Sequence, residues 1–275
     1  MPDAIEALPP LREVIAQHDL AARKSLGQNF LLDLNLTRKI ARAAMPWAAP
    51  VIFEIGPGPG GLTRALLLEG APRVIAIERD ERCLTALAPL VDAATGRLML
   101  HPGDALEADF AALAPPPWQV VANLPYNIAT PLILNWLAQP DRIARMTVLV
   151  QKEVAERLAA PPGSKAYGRL SVAAQWRHNV RMLFDIGPKA FVPPPKVTST
   201  LVELQPRQRP LAEADPDRLE RVTAAAFNQR RKMLRAALRP LWSDADARLQ
   251  AAGIDPTRRA ETLTIEEFCA LARLL

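Results

Sequence analysis

The residues with the most chemistry to offer are Asn123-Leu124-Pro125-Tyr126, which end the apolar run QVVAN. A side-chain amide oxygen beside a proline-constrained backbone carbonyl gives two acceptors aimed at one point, and Tyr126 adds a flat apolar face. That set suits an exocyclic amine on a planar base, with two N–H groups bonded to acceptors and ring stacked on ring. Standing alone, the tetrapeptide would read as a strand end with an Asn turn. It does not stand alone. Upstream, FEIGPGPGGLT follows a strand and opens a helix, so backbone amides and a helix N-terminus face whatever binds there. Gly56, Gly58 and Gly61 satisfy a dinucleotide fingerprint, and Glu78 ends the next strand at about the expected ~20-residue distance.

That motif by itself does not separate a nicotinamide cofactor from another adenosine cofactor. Three details favour S-adenosylmethionine. Glu54 precedes the first glycine, prolines interleave the glycines, and a further acid, Asp104, follows the third strand in GDAL. A sulfonium cofactor has no pyrophosphate to cradle, Glu78 suits two ribose hydroxyls, and Asp104 can accept from the adenine amine.

The elements that must position these residues follow from the patterning. Short β-branched runs (VIFEI, RVIAIE, LML, WQVVAN) alternate with helical segments from residue 51, which predicts a parallel sheet with helices on both faces. MTVLV, NVRMLFDI and KVTSTLVEL extend it to seven strands, the last two as an antiparallel edge pair. After QPRQRP the strand signal disappears, and short helices are expected at 216–228, 229–240, 243–252 and 264–274. Asp215-Pro216 and Asp255-Pro256 each read as a helix start. The expected division is an N-terminal extension (1–22), a Rossmann-like α/β domain (23–206) and a small α-helical domain (207–275).

The 275 residues are 49% hydrophobic, yet no stretch approaches the roughly 20 apolar residues of a membrane span, and no apolar leader opens the chain. A cytoplasmic protein is expected. Two cysteines and three scattered histidines argue against disulfides and a structural metal. The net charge of +5 permits a polyanionic partner. Its clearest concentration is FNQRRKMLRAALR, where a continuous helix would align Arg231, Arg235 and Arg239 on one face. A solvated amphipathic helix explains that segment equally well.

Eight motifs taken together resemble one family. KSLGQNFL, EIGPGPGGLT, AIERD, GDAL, NLPYNIATPLI, QKEVAERL, YGRLSV and FVPPPKVTST run in order across residues 24–200. They are similar to the ribosomal RNA adenine N6-dimethyltransferases, and SKAYGRLSV with PPPKVTS looks most like the bacterial small-subunit (16S) branch. The resemblance implies a seven-stranded S-adenosylmethionine-dependent methyltransferase fold. It places Asn29 and Leu31 against the cofactor, Gly56 near its methionine part, Glu78 on the ribose, Asp104 on the adenine and Asn123 between both ligands. Leu26 stands where relatives often carry Phe, and Arg79 where an aliphatic residue commonly follows the acid.

The expected chemistry is dimethylation of two adjacent adenosines in the 3′-terminal hairpin of 16S rRNA within an immature small subunit, by a monomer. Asn123 Oδ1 and the Leu124 carbonyl accept the amine protons, Pro125 constrains the turn, and Tyr126 stacks on the base. Phe191, before three prolines, is the candidate for the opposite face, with a core phenylalanine as the alternative. Arg230, Arg231, Lys232, Arg235 and Arg239 are expected phosphate contacts, joined by Arg169 and by Lys152 and Arg157. The rivals are a 23S rRNA methyltransferase of the macrolide-resistance type, a non-catalytic assembly factor and a nicotinamide-dependent oxidoreductase.

Overall fold

The computed structural model describes residues 4–23 and 26–275; Lys24 and Ser25, which open KSLGQNFL, and the first three residues of the expected N-terminal extension lie outside the described residues. The chain divides into two compact units, one running to Ala155 and resuming over Arg181–Pro206, the other made of Glu156–Val180 and Arg207–Leu275. The single cut expected after residue 206 therefore misplaces 156–180. The reason is apolar: Tyr167, Val172 and Trp176 of that segment share one core cluster with Leu219, Trp242 and Phe268.

In the first unit, α1 (Leu11–Gln17), β1 (Phe30–Leu31) and α2 (Leu34–Ala43) precede β2 (Val51–Ile55). Then follow α3 (Gly61–Leu68), β3 (Val74–Glu78), α4 (Glu81–Ala93), β4 (Leu98–Pro102), α5 (Phe110–Leu113), β5 (Trp118–Asn123), α6 (Ala129–Leu137) and β6 (Ile143–Gln151). After α7 (Lys152–Ala159) and α8 (Arg169–Arg177) come β7 (His178–Ile186), β8 (Phe191–Val192) and β9 (Ser199–Pro206). The seven-stranded sheet has the order β4-β3-β2-β5-β6-β9-β7. Strands β4 to β6 run parallel, and β9 is antiparallel to β6. The two last long strands are neighbours at the sheet's edge, as expected, with β9 seated between β6 and β7.

Every residue of β2 and β3 is buried. That is the signature of strands covered on both faces, and it explains why their sequences read as unbroken apolar runs. Their exceptions are Glu54 and Glu78, buried acids at the carboxyl ends. Strand order reverses between β2 and β5, so the crevice at their carboxyl ends is where an open α/β sheet binds ligand. A feature absent from the sequence-based expectation is the two-stranded ladder of β1 with β8, which pairs Leu31 with Phe191.

The second unit holds α9 (Pro216–Asn228), α10 (Leu234–Ala237), α11 (Ala245–Ala251) and α12 (Ile265–Arg273). Asp215 caps α9 as expected, accepting from the Arg218 N–H at 3.0 Å. Asp255 does not start a helix; its carboxylate closes a turn on the Thr257 N–H at 2.8 Å. The expected helix over 229–240 is also absent. Residues 229–233 form a turn, and only the one-turn α10 follows. Arg231, Arg235 and Arg239 consequently do not share a continuous helical face. The turn forms because the Leu234 and Arg235 N–H groups bond to the carbonyls of Arg258 and Pro256, partners outside any helix.

Candidate active site

The cleft at the switch point is lined by the loop after β2, the ends of β3 and β4, the NLPY segment and residues 26–31. It gathers all the residues expected to touch the cofactor: Asn29, Leu31, Gly56, Gly58, Glu78, Asp104 and Asn123. Close packing explains the glycines. A Cβ on Gly61 would stand 2.5 Å from the Leu31 carbonyl oxygen, and one on Gly58, where φ is +55°, would stand 2.9 Å from the Phe30 ring. Helix α3 and β1 therefore meet at backbone distance, which only glycine permits.

Glu78 does more than wait for a ribose. Its Oε2 accepts from the Gly58 N–H at 3.1 Å, and its Oε1 accepts from the Arg79 and Asp80 N–H groups, each at 2.8 Å. Three of about four carboxylate lone-pair positions are occupied, and one remains for a ligand hydroxyl. Burial raises its pKa in spite of these bonds. Glu54 is buried more completely. Burial pushes its carboxyl up to about 8 against the hydrogen bond from the Thr63 hydroxyl, with Glu78 adding to the shift, which favours the protonated form at neutral pH.

The NLPY segment is held from two sides. Asn123 Nδ2 donates to the Asn29 carbonyl at 3.1 Å, and Asn29 Nδ2 donates to the Gly27 carbonyl at 3.3 Å. Because a carbonyl can only accept, the first bond fixes the Asn123 amide and leaves its Oδ1 as the acceptor on the other side. Leu124 is anchored through its N–H to the Leu149 carbonyl, and the Pro125 carbonyl accepts from the Ile128 N–H. The Tyr126 hydroxyl bonds to the Ser199 hydroxyl at 2.6 Å, which pins the half-buried ring. Burial raises the pKa of that phenol.

Phe191 departs from its expected place. It is 2% exposed and packs in the main core with Ile52, Leu31 and Leu201. Its pairing with Leu31 in the β1–β8 ladder draws the ring inward, so it presents no face to a base.

The cationic residues sort differently. Arg230 donates through Nη2 to the carbonyls of Lys165 at 2.6 Å and Tyr167 at 2.8 Å, tying the turn at 229–233 to the loop before α8. Arg231, Lys232, Arg235 and Arg239 are exposed. Arg169 reaches Glu220 at 3.5 Å, and Lys152 pairs with Asp185 at 2.7 Å.

Two supporting groups escaped the sequence-based expectation. Asp80 caps α4, and its carboxylate, held down to about 2 by Arg82, also accepts from Gln28 Nε2 at 3.1 Å. Arg79 Nη1 pairs with Asp104 Oδ2 at 3.1 Å. The first was visible as an acid before a helix start; the second depends on strand pairing and left no local signal. Among the described residues no three His, Cys, Asp or Glu side chains group to hold a metal, and no helix is long and apolar enough to cross a membrane.

A family model described as ribosomal RNA adenine dimethylase matches residues 20–275. The chain belongs to this family. The dimethylase is 60% identical to the ribosomal RNA small subunit methyltransferase A of Rhodospirillum rubrum, over 98% of this chain and 93% of that protein. It is 58% identical to the protein of the same name from Ruegeria pomeroyi, over 99% of both. Among solved structures it is similar to a dimethyladenosine transferase from Plasmodium falciparum (TM-score 0.75, 25% identity, 87% of this chain and 94% of that one). It is also similar to the 23S rRNA methyltransferase ErmE (TM-score 0.70, 26% identity, 89% and 98%). The dimethylase takes its methyl groups from S-adenosylmethionine, and the glycine loop with the acceptor position left open on Glu78 fits such a cofactor.

Proposed function

We propose that this enzyme places two methyl groups on N6 of each of two adjacent adenosines in the 3′-terminal hairpin of 16S rRNA, acting as a cytoplasmic monomer on an immature small subunit. The observation that carries the chemistry is the Asn123 amide, oriented by Asn29 so that its Oδ1 accepts at the end of β5 beside the glycine loop. The choice of RNA is supported by the small-subunit relatives at 58–60% identity, against 26% for the 23S enzyme.

When bound, the cofactor supplies an electrophilic methyl on a sulfonium that leaves as a neutral thioether, so no acid need protonate the leaving group. The protein's work is placement and electrostatics. Glu78 takes the ribose, Asp104 the adenine, Gly56 admits the methionine part, and Asn29 and Leu31 close on it. Adenine N6 is a poor nucleophile because its lone pair is delocalised into the ring. Asn123 Oδ1 and the Leu124 carbonyl accept hydrogen bonds from its N–H groups, turn the lone pair toward the methyl and stabilise the charge that develops on nitrogen, whose surplus proton then passes to solvent water. Tyr126, its hydroxyl held by Ser199, stacks on the extruded base, worth about 1–3 kcal/mol. Arg231, Lys232, Arg235 and Arg239 contact phosphates, and Arg169, Arg157 and Lys152 are further candidates for such contacts.

The test is mass spectrometry of rRNA from cells with and without the gene. Loss of dimethyladenosine from the 3′-terminal hairpin of 16S rRNA is the expected result. Loss from 23S rRNA instead would assign the other branch, and unchanged methylation of both would leave a non-catalytic assembly factor.

A further inference from the structure

Arg79, on the wall of the cleft, makes two contacts there. Its backbone N–H donates to Glu78 Oε1 at 2.8 Å, while its guanidinium Nη1 reaches Asp104 Oδ2 at 3.1 Å. The other carboxylate oxygen, Oδ1, accepts from the Leu106 N–H at 3.0 Å. Glu78 and Pro102 are partners in the β3–β4 ladder, and the Gly103 N–H donates to the Glu78 carbonyl at 2.9 Å. Arg79 and Asp104 therefore stand just past the ends of two paired strands, on the wall of the cleft. Each Asp104 oxygen is held by one donor from a different direction, so the carboxylate cannot rotate freely. About two of its four lone-pair positions stay open.

We infer that Arg79 is a specificity-determining positioning residue, which fixes the Asp104 carboxylate so that it accepts from the 6-amino group of the cofactor's adenine. The inference rests on Asp104 being the adenine acceptor. An amine donates to a fixed carboxylate; the 6-oxo group of a hypoxanthine ring would set one acceptor against another and be rejected. With Leu106 as the only donor left among the described residues, the carboxylate would turn about its Cβ–Cγ bond and that rejection would weaken. The pair is open to water, the Arg79 side chain being 68% exposed, so its effect is modest and sensitive to salt.

The experiment titrates the full-length protein with S-adenosylhomocysteine and S-inosylhomocysteine by calorimetry, at low and high sodium chloride. The variants are Arg79→Met, Arg79→Lys and Asp104→Asn. The wild type should prefer the adenine compound by roughly 10-fold or more, as expected of a hydrogen bond to a charged group. Arg79→Met should lower that ratio by about 3- to 5-fold at low salt, the upper range for an exposed pair, and the gap should shrink at high salt. Arg79→Lys should recover part of it, since the charge remains without the planar fork. Asp104→Asn should abolish or reverse the preference. If Asp104→Asn does so and Arg79→Met leaves the ratio unchanged, Arg79 is only a wall and the inference fails while the assignment of Asp104 stands. If Asp104→Asn also leaves the ratio unchanged, Asp104 does not read the adenine and both fail.

Discussion

Replacing Asn123 with Ala removes the Nδ2 bond that the structure shows and the Oδ1 acceptor that the proposed mechanism uses. The Nδ2 bond to the Asn29 carbonyl, 3.1 Å long, is a neutral hydrogen bond worth about 1 kcal/mol, or roughly 5-fold in the affinity of the cofactor that Asn29 borders. In the proposed mechanism the Oδ1 acceptor acts where charge develops. By analogy with the loss of one preorganised transition-state partner, its removal should lower the methyl-transfer rate by about 10²–10³-fold. The split is diagnostic: a small loss in binding and a large one in rate. Asn123→Asp separates the two further, because it keeps an acceptor but sets a carboxylate oxygen against the Asn29 carbonyl. It should bind cofactor at least as poorly as the alanine variant. The assay is single-turnover transfer of labelled methyl to immature small subunits, with cofactor affinity measured in parallel by calorimetry. A rate for Asn123→Ala within about 3-fold of wild type would refute the role of Oδ1.

Arg230→Ala should lower the melting temperature, since it frees two carbonyls at a cost of about 1 kcal/mol. Arg231→Glu with Lys232→Glu should leave melting unchanged while weakening binding to ribosomal particles and reducing its salt dependence; equal melting losses in both variants would contradict this division. Phe191→Ala should destabilise the first unit by about 3–5 kcal/mol in denaturant unfolding, as a buried ring in the main core requires. Glu54 has a folded pKa raised from 4.5 to about 8, so the folded state holds its proton more tightly and stability falls as pH rises through that window. Glu54→Gln should therefore gain melting temperature over wild type progressively between pH 5 and 8, and a constant difference would show that Glu54 is not protonated in the native state.

The sheet was legible because buried parallel strands must be apolar throughout, so VIFEI and RVIAIE announce themselves and their interrupting acids stand out. Gly56, Gly58, Glu78, Asp104 and Asn123 followed from the ends of the parallel strands, whereas Asn29 and Leu31 came only from the family resemblance. The FNQRRKMLRAALR segment misled because its composition suits a helix, whereas the Leu234 and Arg235 N–H groups bond to residues more than twenty positions away. Local periodicity carries no trace of such partners. Phe191 misled for a similar reason: its burial comes from pairing with Leu31, which is 160 positions earlier in the chain. The Arg79–Asp104 pair and the Asn123–Asn29 bond are likewise products of tertiary contact, and no spacing rule reveals them.

The second unit takes its core from two stretches, with Tyr167 and Trp176 on one side of β9 in the chain and Leu219 to Leu271 on the other. Neither half of the protein is a contiguous fragment. A truncation after residue 206 would leave Tyr167, Val172 and Trp176 without the apolar side chains that bury them, and a fragment from 207 onward would lack those three in its interior. During synthesis, residues 156–180 emerge well before their partners, while β9 is still needed to insert between β6 and β7. The helical unit can close only once α12 is available, so a nascent chain carries Tyr167 and Trp176 unburied until that helix has left the ribosome.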